Sequence, residues 1–301
     1  MSTVVALGGN AMMRPGERGT AAEQLTNLRR AVSALEPVLG EPGLVLTHGN
    51  GPQVGNELLR QERAAEEAPP LPLWLAVAQT QAEIGALISA ELRPALDGRE
   101  AACMLTHVRV AADDPAFDRP TKPIGPFYSA EQAEQLERGR GWQLVSDANR
   151  GHRRVVPSPE PLEIVELEVI RRLAETGTVA IACGGGGIPV VRRGGRLSGV
   201  DAVIDKDRAS ALLARGLGAR RLLILTEVPA VYRNFGQPDQ KELRELSTSD
   251  AESLLPRLAE GSMRPKVESA LTFGGETLIT NFDALNAALA GEGGTRIRGH
   301  L

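Results

Sequence analysis

Lysine is nearly missing from this chain. Among 34 cationic residues, only Lys122, Lys206, Lys241 and Lys266 are lysines; all the others are arginines. A chain that meets its ordinary surface needs with arginine has a use, at a few places, for a compact and strongly hydrated point charge. Cysteine is also sparse. Cys103 and Cys183 lie far apart in apolar runs and read as buried thiols, which excludes a disulfide framework and points to a reducing compartment. There is no surplus of positive charge either: the formal net charge of -4 argues against binding nucleic acid through bulk electrostatics. Met1-Ser2-Thr3 leads straight into apolar residues with no basic region or cleavage site, so no secretory signal is expected. The longest apolar stretch, "LPLWLAVAQTQAEIGALISAEL", carries Gln79, Gln81, Glu83 and Glu91 and is not a membrane span. A cytoplasmic protein without membrane or nucleic-acid partners is the expectation.

What is present is a pattern. With 301 residues, 42% apolar and 24% charged, the chain can build one large α/β domain or two lobes. Short apolar runs at 3–7, 43–47, 178–183, 221–226 and 276–280 predict buried strands. Helical spacing occupies 20–39, 52–67, 72–93, 160–175, 206–217, 248–258 and 265–273. The alternation predicts a mainly parallel sheet with helices on both faces, a three-layer αβα sandwich. Residues 111–158 interrupt it with Pro115, Pro120, Pro123, Pro126 and Pro157 and only one short helical pattern. They read as a flap over the sheet's edge. No repeat of fixed period is visible.

Glycine collects where the strands end. "VVALGGN" runs into Gly8, Gly9 and Asn10; "VLTHGNGPQVG" runs into Gly49, Asn50 and Gly51; "VAIACGGGGIP" runs into Gly184, Gly185, Gly186 and Gly187. Ligands of open α/β sheets bind beyond the carboxyl ends of strands, where glycine lets backbone N–H groups approach an anion. Pro52 suits the first position of the helix that follows. No P-loop, no G-x-G-x-x-G and no H-R-D with D-F-G is present, so the usual nucleotide signatures are excluded.

The lysines narrow the choice of anion. Lys122 sits in "RPTKPIGP", Lys206 in "IDKD" and Lys266 in "SMRPKVE", whereas Lys241 in "QPDQKEL" reads as a solvated surface residue. Three cations meeting at a phosphoryl group would offset the charge on its oxygens. Asp205 and Asp207 fit a role of holding the lysines, and Asp205 fits a helix N-cap as well. His48 reads as a turn-stabilising partner. His107, His152 and His300 show no evident partner, and Trp74 and Trp142 read as packing residues.

With these motifs, "VVALGGNA", "THGNGPQVG", "DPAFDRPTKPIGP", "RRVVPSP", "GGGGIPVV", "GVDAVIDKD", "LTEVPAVYRNFG" and "GSMRPKVE", the chain resembles the carbamate kinases, of the amino-acid kinase fold. The matching blocks keep their order over nearly the full length. The resemblance implies reversible phosphoryl transfer between ATP and carbamate, with Mg²⁺ on the nucleotide and no protein-held metal, in a homodimer linked to arginine catabolism. It implies that residues 1–177 bind the acceptor and that 178–301 bind the nucleotide. It gives catalytic roles to Lys122, Lys206, Asp207 and Lys266. Backbone cradling falls to Gly8, Gly9, Asn10, Gly49, Asn50 and Gly51, and Gly184 to Gly187 would lie against the substrate. Nucleotide contacts fall to Thr226, Tyr232, Met263 and Pro265. Carbamate is already an anion, so its oxygen needs no general base. The chain departs from the family pattern at Ala82, Ala86, Arg264, Glu227 and Pro229, and a guanidinium at 264 is expected to alter phosphate affinity. Two rival readings are a kinase for another small carboxylate and a non-catalytic nucleotide or anion sensor.

Overall fold

Residues 2–14, 16–146 and 151–299 are described by the computed structural model; Met1 and His300 fall outside them. The first part of the chain forms β1 (Thr3–Leu7), α1 (Ala21–Ala34), α2 (Glu36–Leu39), β2 (Leu44–His48), α3 (Gly51–Arg63), α4 (Leu73–Leu92), β3 (Ala101–Cys103) and β4 (His107–Arg109). The flap contributes β5 (Lys122–Tyr128), α5 (Ala130–Arg140), β6 (Leu144–Ser146) and β7 (His152–Val156). Then come β8 (Glu163–Ile164), α6 (Leu167–Glu175), β9 (Val179–Ile181), β10 (Ile188–Arg193) and β11 (Arg196–Gly199). The remainder forms α7 (Lys206–Leu217), β12 (Arg221–Leu225), β13 (Val231–Arg233), β14 (Lys241–Leu243), β15 (Glu245–Ser247), α8 (Thr248–Leu254), α9 (Met263–Phe273), β16 (Glu276–Thr280), α10 (Leu285–Ala290) and β17 (Thr295–Arg298).

An eight-stranded sheet in the order β15-β17-β16-β12-β1-β2-β9-β3 runs through the molecule, parallel except where β17 pairs with β16. Every residue of β1 and β2 is buried, because helices cover both faces. Alternation then splits the strand. Val4 and Ala6 enter a core built with α6, α7, α8 and α9, while Val5 and Leu7 enter a second core with α1, α2, α4 and α10. These are the three layers of the expected sandwich.

Several predicted helices are shorter than their patterns. The 20–39 run breaks at Leu35, where Pro37 opens α2 without an N–H to donate. The 248–258 run ends as helix at Leu254, and Pro256 sits in the 3₁₀ turn that follows. The 160–175 run becomes helical only at Leu167, because Ile164 pairs with Val108 of β4. Cys183 is buried as expected, but Cys103 is exposed, since β3 is the outer strand of the sheet.

The flap is a three-stranded antiparallel sheet, β5-β7-β6, with α5 beside it. It packs on α3, behind the interior strand β2, where Gly55 meets the backbone of Gly125 so closely that an added Cβ would fall 2.1 Å from its Cα. Gly125 itself has φ +72°, a conformation open to glycine. Among the described residues no helix is long and apolar enough to cross a membrane.

Candidate active site

The glycine-rich loops meet where the carboxyl ends of β1, β2, β9 and β12 converge. Asn10 Nδ2 donates to the carbonyl of Thr226 at 3.0 Å, tying the end of β1 to the end of β12. Asn50 Nδ2 donates to Thr80 Oγ1 at 3.0 Å and is followed by α3, in which Gly51 takes the first position and Pro52, expected there, the second. Gly9, Asn10, Gly49 and Gly51 are not fully buried, whereas Gly184 to Gly187 all are. A Cβ on Gly185 would fall 2.3 Å from Asn50 Nδ2, and one on Gly186 would fall 2.2 Å from the Ile204 carbonyl. The four glycines therefore stand one layer behind the surface, backing the Asn50 loop and the start of α7.

All three motif lysines reach this place. Lys206 lays its stem over Gly49, with 3.2 Å between its Cδ and the position a Gly49 Cβ would take. Its Nζ binds Asp207 Oδ1, and Lys266 Nζ binds Asp207 Oδ2 at 2.9 Å. Lys122, from the first position of the flap strand β5, sends Nζ to Asp205 Oδ2 at 2.5 Å. Asp205 caps α7 with its other oxygen, accepting the backbone N–H groups of Asp207 at 2.9 Å and Arg208 at 3.3 Å. Both roles expected of Asp205 thus hold together, although the lysine it grips is Lys122 rather than Lys206. Lys241 is exposed on β14.

The cluster is charged and mostly shielded from water. Side-chain exposure is 3% for Asp207, 11% for Lys206, 12% for Lys266 and 14% for Asp205. Burial opposes the charge on Asp205, yet the nearby Lys122, Lys206 and Lys266 hold its carboxyl well below the usual range. Asp207 is held low in the same way by Lys206 and Lys266, against burial. Burial lowers Lys206 below its ordinary value, and Lys266 adds to this; for Lys266 itself the attraction of Asp207 and Asp205 outweighs burial and raises it. Three ammonium groups face the carboxylates of Asp205 and Asp207, and Glu227 also lies close enough to act on Lys266.

The other expected site residues divide between this cluster and its surroundings. Thr226 ends β12, and Met263 and Pro265 lie in the first turn of α9 beside Lys266. Tyr232 belongs to the β13–β14 hairpin, its ring 5.8 Å from Phe235. His48 is fully buried; burial pushes its pKa down to about 4, against the effect of its contact with the Gly49 carbonyl at 3.1 Å. His107 does have a partner, contrary to expectation: Glu166 accepts from its backbone N–H at 2.7 Å and contacts Nδ1 at 2.8 Å. Arg264 does not reach toward a phosphate site; Glu260 at 3.0 Å and Glu268 at 3.1 Å hold it along α9. Ala82, Ala86 and Glu227 are exposed.

Two cavities, of about 390 and 340 Å³, flank the start of α4 beside Trp74 and Trp142; neither is lined by a motif lysine. Arg140 and Arg154 stack on Trp142 at 5.2 and 4.4 Å, so that residue packs as expected.

The Amino acid kinase family model matches residues 1–277. A carbamate kinase of Halobacterium salinarum is 48% identical over 303 residues, covering 98% of this chain and 97% of that protein. A carbamate kinase from Giardia lamblia bound to citric acid superposes with a TM-score of 0.93 at 39% identity, covering 99% of this chain and 98% of the other. The same enzyme bound to AMP-PNP gives 0.88 at 40%, with the same coverage.

Proposed function

The chain belongs to the amino acid kinase family, and from this we infer that it is an enzyme transferring a phosphoryl group reversibly between ATP and carbamate. One observation carries the assignment: three lysines gathered at the glycine-lined strand ends and held there by Asp205 and Asp207. Such a site is built to take up an anion. In the direction that makes ATP, an oxygen of the ADP β-phosphate attacks the phosphorus of carbamoyl phosphate. The bond from phosphorus to the carbamate oxygen breaks, and carbamate leaves as an anion with its electron pair. No proton has to move, so no general base is needed. What remains is to bring anions into line, which positioned cations and backbone donors do.

Our reading gives Lys206 and Lys266 the travelling phosphoryl group and Asp207 the task of aiming both. Lys122 covers the acceptor from the flap. Backbone N–H groups of Gly8, Gly9, Asn10, Gly49, Asn50 and Gly51 cradle the substrate, and Gly184 to Gly187 support that cradle from behind. Thr226, Tyr232, Met263 and Pro265 serve the nucleotide. Residues 1–177 form the acceptor half and 178–301 the nucleotide half, with β9 to β11 paired into the acceptor half. The oxygens of Asp205 and Asp207 are taken up by lysines and amides, which fits Mg²⁺ arriving on the nucleotide phosphates rather than held by these carboxylates. A cytoplasmic homodimer completes the proposal, checked by fractionation and by light scattering.

The test is a coupled assay of ATP formation from ADP with carbamoyl phosphate, acetyl phosphate and amino-acyl phosphates. Preference for carbamoyl phosphate is expected. Faster turnover of an amino-acyl phosphate would move the assignment to another carboxylate kinase, and binding without turnover would make the chain a sensor.

A further inference from the structure

Asp205 stands out because its two oxygens do different jobs for different elements. Oδ1 accepts the backbone N–H groups of Asp207 and Arg208, which fixes the start of α7. Oδ2 takes Lys122 from the flap. The two residues lie 83 positions apart in the chain. Lys206 and Asp207 follow Asp205 directly, so a single carboxylate joins the flap to the helix that carries half of the charge cluster. Lys122, at 26% exposed, is the most open member of the cluster, while Asp205, Lys206 and Lys266 are 14%, 11% and 12% exposed.

We propose that Asp205 is a positioning residue which parks Lys122 over the cluster and yields it to the incoming acyl phosphate. This rests on the phosphoryl-transfer reading and adds a residue to it. The physical basis is competition between anions. A lysine drawn from water is stabilised only while an opposite charge is close. Asp205 supplies that charge until a dianionic phosphoryl group offers a stronger one, and the flap keeps the same register throughout. Without Asp205, Lys122 has no fixed partner and the flap loses its tie to α7, while the helix cap needs only an oxygen acceptor.

That difference separates the roles. Asp205→Asn keeps an acceptor for the Asp207 and Arg208 amides and removes the charge that holds Lys122. We expect turnover of carbamoyl phosphate with ADP to fall at least about tenfold in Asp205→Asn and about a hundredfold in Lys122→Ala. The double variant should be no slower than Lys122→Ala, because a residue that acts through Lys122 has nothing left to position. Losses that multiply in the double variant would overturn the proposal. Hydrogen exchange of residues 122–128 in the substrate-free protein gives a second measurement that needs no activity. Faster exchange in Asp205→Asn, with α7 unchanged, is expected; unchanged exchange there would also overturn it. Wild-type turnover reports on the phosphoryl-transfer reading by itself, so failure of that reading and failure of the Asp205 role are told apart.

Discussion

Gly55 on α3 and Gly125 on the flap touch backbone to backbone, with no room for a methyl group between them. The contact lies four residues past the start of the cradle helix and three past Lys122, so it sets the height of the flap above the site. Gly55→Ala must push the flap away, since the atoms it meets are main chain. The expected cost is about 1–3 kcal/mol of stability by overpacking. Turnover should fall by a factor on the order of 100, as a displacement of about 1 Å can cause. Gly139→Ala, on α5 with nothing within 4 Å, is the control. It should keep full activity in the ATP-formation assay and leave urea stability level or slightly raised.

Burial lowers the pKa of Lys206, and Asp207 keeps Lys266 as a partner if Lys206 is removed. Lys206→Met should therefore lower turnover by about two orders of magnitude or more while urea stability stays within about 1 kcal/mol of wild type or rises. Collapse of the fold in this variant would contradict the balance of charges drawn above. Lys241→Ala, exposed on β14, should change turnover less than about twofold.

His48 links stability to pH. Its folded pKa of about 4 lies below the ordinary 6.5, so the unfolded chain takes up the proton first as pH falls. Stability is full above about 6.5 and drains away between 6.5 and 4, by about 2 kcal/mol at pH 5. His107, raised mainly by its hydrogen bond to Glu166, acts in the opposite sense: its contribution is present below 6.5 and lost as pH rises through the raised value. Urea unfolding of wild type and His48→Gln at pH 7 and 5 separates them. The His48 part of the slope should vanish in the variant.

Arg264 is tied to Glu268 on its own helix and to Glu260 in the turn before it, so Arg264→Ala should leave the apparent affinity for ADP within about twofold. Loss of two i,i+4 pairs costs about 0.3–0.5 kcal/mol each. A tenfold rise in KM for ADP would return Arg264 to the phosphate site.

Much of this arrangement is legible in the amino-acid order. The strands at 3–7, 221–225 and 276–280 show because burial on both faces gives each of them consecutive apolar residues with no alternation. Strands β3, β4 and β8 have only two or three residues, too few for a period to emerge. Lys122, Lys206 and Lys266 stand out through the scarcity of lysine and the motifs around them. Asp205 and Asp207 stand out beside them in "IDKD", but which lysine each one holds does not, because the Lys122–Asp205 and Lys266–Asp207 pairs span 83 and 59 residues and no local pattern records them. The His107–Glu166 pair is hidden for the same reason. The place of Arg264 is hidden too, because proximity in sequence to Lys266 says nothing about the side of the helix its partners occupy.

The position of β9 has a consequence for how the chain is made. Val179–Ile181 slots between β2 and β3, which were synthesised long before it, and β1 waits for β12. A nascent chain that has only its first 177 residues outside the ribosome therefore holds unpaired strand edges on β1, which lacks β12, and on β2 and β3, which lack β9. Neither half can mature by itself, so folding of this polypeptide is a late event on which both ends of the message must converge.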